Sequence, residues 1–107
     1  MGEDYYKEKL ISLFKRIFIE TGDARSRIIN CEDKIFNAQL ASNAEGIPVE
    51  VRTRWEEIWN ELNLKEDWYD NEGRLIQSSL NATVKNKRNK SMEKYLLFFL
   101  EEFFRVI

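Results

Sequence analysis

Val51-Arg52-Thr53-Arg54-Trp55-Glu56-Glu57-Ile58-Trp59-Asn60-Glu61-Leu62 is the stretch that decides the fold. At 100° per residue, Val51, Trp55, Ile58, Trp59 and Leu62 fall on one narrow stripe, and every remaining position is polar. That period belongs to a helix with one buried face, not to a strand. Trp55 and Trp59, one turn apart, can press on the same neighbour. Just before it stands the sole proline, Pro48, in a setting that suits a first helical turn, where its missing N–H costs nothing. The spacing predicts a helix over about 48–63.

Working outward, glycine-bearing stops divide the chain into further helix-sized pieces. They are Thr21-Gly22-Asp23, Asn43 to Pro48 around Gly46, and Asp70-Asn71-Glu72-Gly73. Helices are predicted over about 4–20, 23–42, 72–86 and 91–107. No segment shows the strict alternation of a half-buried strand. The fold class expected is all-α: a compact, up-and-down-like bundle of four to five helices in one domain spanning 1–107.

The stripes differ in kind. Tyr6, Leu10, Leu13, Phe14 and Ile17 make one face of the first helix. The 23–42 segment carries two stripes, Ala24-Ile28-Cys31-Ile35-Ala38 and Ile29-Phe36-Leu40, with a seam of Arg25, Glu32 and Gln39 between them. Two stripes mean two sets of neighbours. In 72–86, Ile76, Leu80, Thr83 and Val84 align, and the next position on the stripe is Lys87, so a solvated break is expected at Lys87 to Lys90. The last segment is apolar over more than half its circumference (Met92, Tyr95, Leu96, Phe99, Leu100, Phe103 and Val106, widened by Leu97 and Phe104). Such a helix is the centre of a bundle or lies against a partner. Phe98 is expected on its polar side, among Lys94, Glu101, Glu102 and Arg105.

Composition argues against most chemistry. The chain has no histidine, which removes the commonest general base and metal ligand together with every imidazole-dependent triad. Three or four N/S ligands for zinc are missing, and so are the Glu-x-x-His pairs of a four-helix di-iron site. The four glycines are scattered, so no phosphate-cradling loop forms. Cys31 is the lone cysteine and sits on an apolar stripe, where it reads as a structural thiol. The expectation is no enzyme activity, no cofactor and no metal. A single thiol, and a first segment that mixes charges with apolar positions, point to a cytoplasmic protein without a secretory leader. The longest apolar run, Tyr95 to Leu100, is far short of the ~20 residues that cross a bilayer, so no membrane is expected.

The net charge of −2 hides a polarity. Residues 50–72 hold eight acids against three bases, and residues 73–94 hold six bases against Glu93 alone. The two runs are expected to attract each other across the fold.

What remains is recognition. Trp68 and Tyr69 lie outside the helical periods and are framed by acids, and such rings dominate binding energy where they are exposed. Together with Leu97, Phe98 and Phe104 they are the candidate protein-interaction residues. The function read from the sequence is a small helical interaction or regulatory module. Its partner is either a second copy, as a homodimer, or a separate protein. In the latter form it is an acidic-faced inhibitor, antitoxin or immunity-type regulator using residues 56–72. The alternative is a nucleic-acid-binding regulator using the basic turn, with Lys85, Lys87, Arg88, Lys90 and Lys94 on phosphates. An acidic remainder and an apolar helix after the turn disfavour nucleic acid as a partner.

Overall fold

The structure, a computed structural model, describes residues 2–106. It is all-helical apart from one small hairpin. In chain order it holds α1 (Gly2–Ile19), α2 (Ala24–Asn30), α3 (Glu32–Ala41) and α4 (Val49–Leu62). Then follow β1 (Trp68–Tyr69), β2 (Leu75–Gln77), α5 (Ser79–Lys85) and α6 (Asn89–Val106). The helical bundle read from the pattern is what forms, and α1, α4 and α6 lie within a residue or two of their predicted limits. Among the described residues no helix is long and apolar enough to cross a membrane.

The core is centred on Trp55, which is fully buried. Its ring stacks on Phe99 at 5.5 Å and takes the edge of Phe98 at 5.0 Å, both from α6. Its indole Nε1–H donates to the Tyr6 hydroxyl of α1 at 2.7 Å. A buried indole needs such an acceptor, since an unpaired N–H away from water costs about 1–3 kcal/mol. Burial also raises the Tyr6 phenol well above its ordinary value, with the Glu102 charge adding to the rise, so the hydroxyl stays neutral.

Two predicted boundaries are corrected. The single helix over 23–42 breaks at Cys31, whose φ of −106° and ψ of 16° leave the helical region. The break lets each half keep its own partners: α2 packs on α5 and α6, while α3 packs on α1 and α4. The Ala24-Ile28-Cys31-Ile35-Ala38 stripe runs through both helices into the core, whereas Phe36 and Leu40 of the second stripe stay exposed on α3 and only Ile29 packs against the core. Asp23 starts the first of them, its carboxylate accepting from Ser26 N at 2.9 Å.

The helix predicted over 72–86 begins only at Ser79. Residues 68–77 instead form an antiparallel hairpin, Trp68 opposite Gln77 and Tyr69 opposite Leu75. Asp70 organises its turn, accepting from Glu72 N at 2.9 Å, Arg74 N at 2.8 Å and Arg74 Nε at 2.9 Å. The Arg74 amide, more than any other group, holds the Asp70 carboxyl below its ordinary range. Gly73, at φ +81°, supplies the left-handed residue the turn requires. Local turn chemistry outweighs the helical spacing of Ile76, which lies exposed on β2 instead of on a buried stripe. The next stop overlaps the break expected at Lys87 to Lys90 but lies a little upstream of it, since α6 already begins at Asn89. Ser78 caps α5 by accepting from Asn81 N, and α5 ends at Lys85 before the break at 86–88.

Phe98 is the third correction. It is buried, because Trp55 reaches to the flank of α6 that carries Phe98 and Glu102. Arg54 lies over the outer side of the Phe98 ring at 5.2 Å. Glu102 is buried with it, 1% exposed, with Arg105 at 3.5 Å and no hydrogen bond to either carboxylate oxygen. Desolvation raises its carboxyl above the usual range, only partly offset by Arg105 and Arg54.

Two stability predictions follow from this core. Tyr6→Phe strands the Trp55 N–H and is expected to destabilise the protein by about 1–3 kcal/mol in urea unfolding, whereas Tyr5→Phe, on the exposed side of α1, is neutral. For Glu102 the folded state binds the proton more tightly than the unfolded state. The stability this contributes is complete below the unfolded glutamate value and is lost as pH rises through the raised folded value. Glu102→Gln removes that dependence. Its unfolding free energy is expected to overtake the parent's as pH rises from 4 to 8, and a constant difference across that range would refute the assignment.

Candidate functional site

Two of the concave surfaces, together with the basic turn, bear on recognition. The first lies between α1 and α6. Phe14 stacks flat on Phe103 at 3.8 Å, and Phe18 closes on Phe14 at 4.4 Å. Phe104 meets the same Phe14 ring edge-on at 6.5 Å. Phe18 and Phe104 are 64% and 62% exposed, the reverse of what a ring of that size does in a finished core. Leu97, Leu100 and Phe104 recur at i, i+3 and i+7, so they share one face of α6. A cleft of about 150 Å³ opens beside Phe18, walled by Leu13 and Ile17 of α1, Leu96 and Leu100 of α6, and Arg27.

The second surface is a groove of about 610 Å³ bounded by α2, α3, α4 and the hairpin. Phe36 of α3 and Trp59 of α4 form its aromatic wall, 5.3 Å apart and inclined at 41°. Ile29 and Leu75 extend the apolar part, and Glu32, Asp33 and Asp67 bring three carboxylates. Glu32, one of the seam residues of the sequence, accepts from the Ser78 hydroxyl at 2.7 Å. Asp67 accepts from the Ser79 backbone N–H and from Tyr69 OH. Arg25, from the same seam, turns away and donates to the carbonyls of Lys85 and Lys87 at 3.3 and 3.2 Å, closing the end of α5. Among the described residues no three acidic or thiol side chains converge as a metal site.

The residues singled out from the sequence are thus separated. Leu97 and Phe104 lie exposed on α6; Phe104 belongs to the aromatic face, while Leu97 lines the surface between α6 and α4 with Ile58 and Phe98. Trp68 and Tyr69 are exposed on β1, a different element, and do not fold back into the core. Phe98 is interior. Phe14 and Phe18 were not among the candidates although they complete the face. The signal was present, since Phe18 widens the apolar arc of α1 beyond what one neighbour can cover. Phe36 and Trp59 read as ordinary stripe positions, and only the tertiary fold sets them beside the carboxylates.

In the basic turn, Lys85, Arg88 and Lys90 are exposed and Lys87 is half-buried. Lys94 is committed elsewhere: it pairs with Glu61 of α4 at 3.1 Å, and Tyr95 OH donates to the same oxygen at 3.0 Å. Burial of Glu61 acts to raise its carboxyl, but the Lys94 and Tyr95 hydrogen bonds outweigh it and hold the value below the usual range. This pair is where the acidic and basic runs meet; Arg74 pairs locally with Asp70 and Glu72. Cys31 is buried, and desolvation, then the Glu20 charge, pushes its thiol up to about 11, so thiolate is scarce at neutral pH.

No family model matches the chain, and no curated protein or solved structure is significantly similar to it.

The hairpin carries its own test. Asp70→Ala removes three hydrogen bonds from the turn. The amides of Glu72 and Arg74 are expected to lose their protection in hydrogen exchange, with the unfolding midpoint moving little because the hairpin lies outside the Trp55 core.

Proposed function

We propose that this protein is a non-catalytic interaction module that pairs with a second copy of itself through the α1/α6 aromatic face. The single observation carrying the reading is the exposure of Phe18 and Phe104 around a Phe14–Phe103 stack, beside an open apolar cleft. A contiguous patch of this kind marks an interaction site far more often than scattered exposed side chains do. The cleft has the volume that takes one aromatic ring in a protein interior. A two-fold arrangement lets each copy offer Phe104 to the other's cleft, and an isologous contact closes at two subunits. Each 18-residue helix offers a face about 27 Å long, a length that suits helix-on-helix packing.

Sedimentation equilibrium tests it directly. The protein is expected to dimerise with rising concentration, with little sensitivity to salt. Burying a phenylalanine contributes about 1.5–3 kcal/mol. The double variant Phe18→Ser/Phe104→Ser is therefore expected to weaken the dimer by on the order of 100-fold or more with unchanged helical circular dichroism. A parent protein that stays monomeric at its highest soluble concentration ends the proposal.

A further inference from the structure

The groove between α3, α4 and the hairpin shares only α2 with the dimer face and has different chemistry. We propose that it binds an arginine-bearing basic segment of a partner protein.

Three observations carry this. First, the groove has the volume of a ligand site and an aromatic wall, Phe36 and Trp59, whose rings are accessible from the open side. Second, three carboxylates line it and no lysine or arginine does. Third, none of those carboxylates takes part in an ion pair among the described residues, although Glu20, Glu61, Asp70, Glu72, Glu101 and Glu102 all do. The helix N-termini of α3 and α5 offset part of this negative charge, but among the described residues no cationic side chain neutralises it. Glu32 and Asp67 are also held in place, by the Ser78 hydroxyl and the Ser79 N–H, so they do not need ordering on binding.

This combination selects a guanidinium. Its flat face stacks on Trp59 or Phe36, while its edge presents paired N–H donors to a carboxylate. An ammonium offers the charge without the stacking plane. A phosphate-bearing ligand meets three negative charges and is repelled. A groove of about 610 Å³ exceeds what one guanidinium fills, and Ile29 and Leu75 leave room for the apolar side chains of a peptide between its arginines.

The test uses a fluorescein-labelled peptide of alternating arginine, leucine and glycine, with its lysine counterpart, and reads anisotropy on the intact protein. The arginine peptide is expected to bind, to weaken as salt rises, and to exceed the lysine peptide. Asp33→Asn and Phe36→Leu change exposed groups that no backbone hydrogen bond depends on. Each is expected to weaken binding by about 2- to 5-fold, and the pair by about 10-fold. Glu8→Gln, the same charge change on α1, is expected to leave affinity unchanged. Circular dichroism and the urea midpoint establish that each variant is folded. Four results would overturn the proposal: no binding, equal loss in Glu8→Gln, equal affinity for the lysine peptide, or displacement by tetramethylammonium. Dimerisation abolished by Asp33→Asn would also overturn it, by giving the groove to the basic turn of a second copy. Phe18→Ser/Phe104→Ser is expected to bind the peptide normally, so the dimer and the groove stand or fall separately.

Discussion

One buried hydrogen bond sets the geometry of this protein: the Trp55 indole has to place its N–H on the Tyr6 hydroxyl. The indole has no exposed surface, so water cannot substitute for that acceptor. The bond fixes α1 against α4, and Phe98 and Phe99 then clamp the same ring from α6. Clamping with two consecutive residues fixes the rotation of α6 about its own axis. Phe98 and Glu102 are turned inward, and Leu97 and Phe104, on the far side of the helix, are turned out. The exposed aromatic face is thus a consequence of how the core is solved. An α6 rotated to bury Phe104 would withdraw Phe98 from Trp55.

The same constraint separates what the sequence disclosed from what it concealed. The 48–63 helix was legible because its apolar stripe is narrow and the rest is polar, leaving a single way to bury it. The limits of α1 and α6 followed from the punctuation beside them, the Gly22 stop after α1 and the basic turn before α6. Phe98 and Glu102 were misplaced because a helical wheel describes one helix, whereas their burial is decided by the reach of a tryptophan on another. The break at Cys31 was half visible. Two stripes implied two sets of neighbours, but a continuous helix with a seam and two shorter helices carry the same pattern. The hairpin was hidden by Ile76, Leu80, Thr83 and Val84, whose helical spacing extends one turn too far upstream. Asp70-Asn71-Glu72-Gly73 between Trp68-Tyr69 and Leu75-Ile76 was the competing signal, and a short turn closed by an aspartate outweighed one apolar position.

Charge was legible in sign but not in pairing. The acidic and basic runs do meet, at Glu61 and Lys94, and that contact draws Lys94 away from the otherwise exposed bases of the turn. Glu32, Asp33 and Asp67 come from segments more than thirty residues apart, and only the fold gathers them around Phe36 and Trp59. No linear pattern in the chain marks that groove. The seam noticed in the sequence contributed one member, Glu32, and its partner is the hydroxyl that caps α5 and not the neighbouring arginine or glutamine.

The aromatic cleft bears on stability as well as on recognition. Unfilled apolar volume costs about 24 cal/mol per Å³ when it is enclosed. For the 150 Å³ beside Phe18 that sets an upper bound of roughly 3–4 kcal/mol, reduced in proportion to how far the cleft opens to water. Against the 5–15 kcal/mol that keeps a typical domain folded, even a part of that is a substantial sum. The chain has an aromatic ring close to such a cleft, since Phe104 meets Phe14, one of its walls, edge-on at 6.5 Å. It leaves the ring outside because α6 is held by Phe98. The volume is then open to a group from outside, and this is the ground on which we propose an aromatic side chain of a second copy as its occupant.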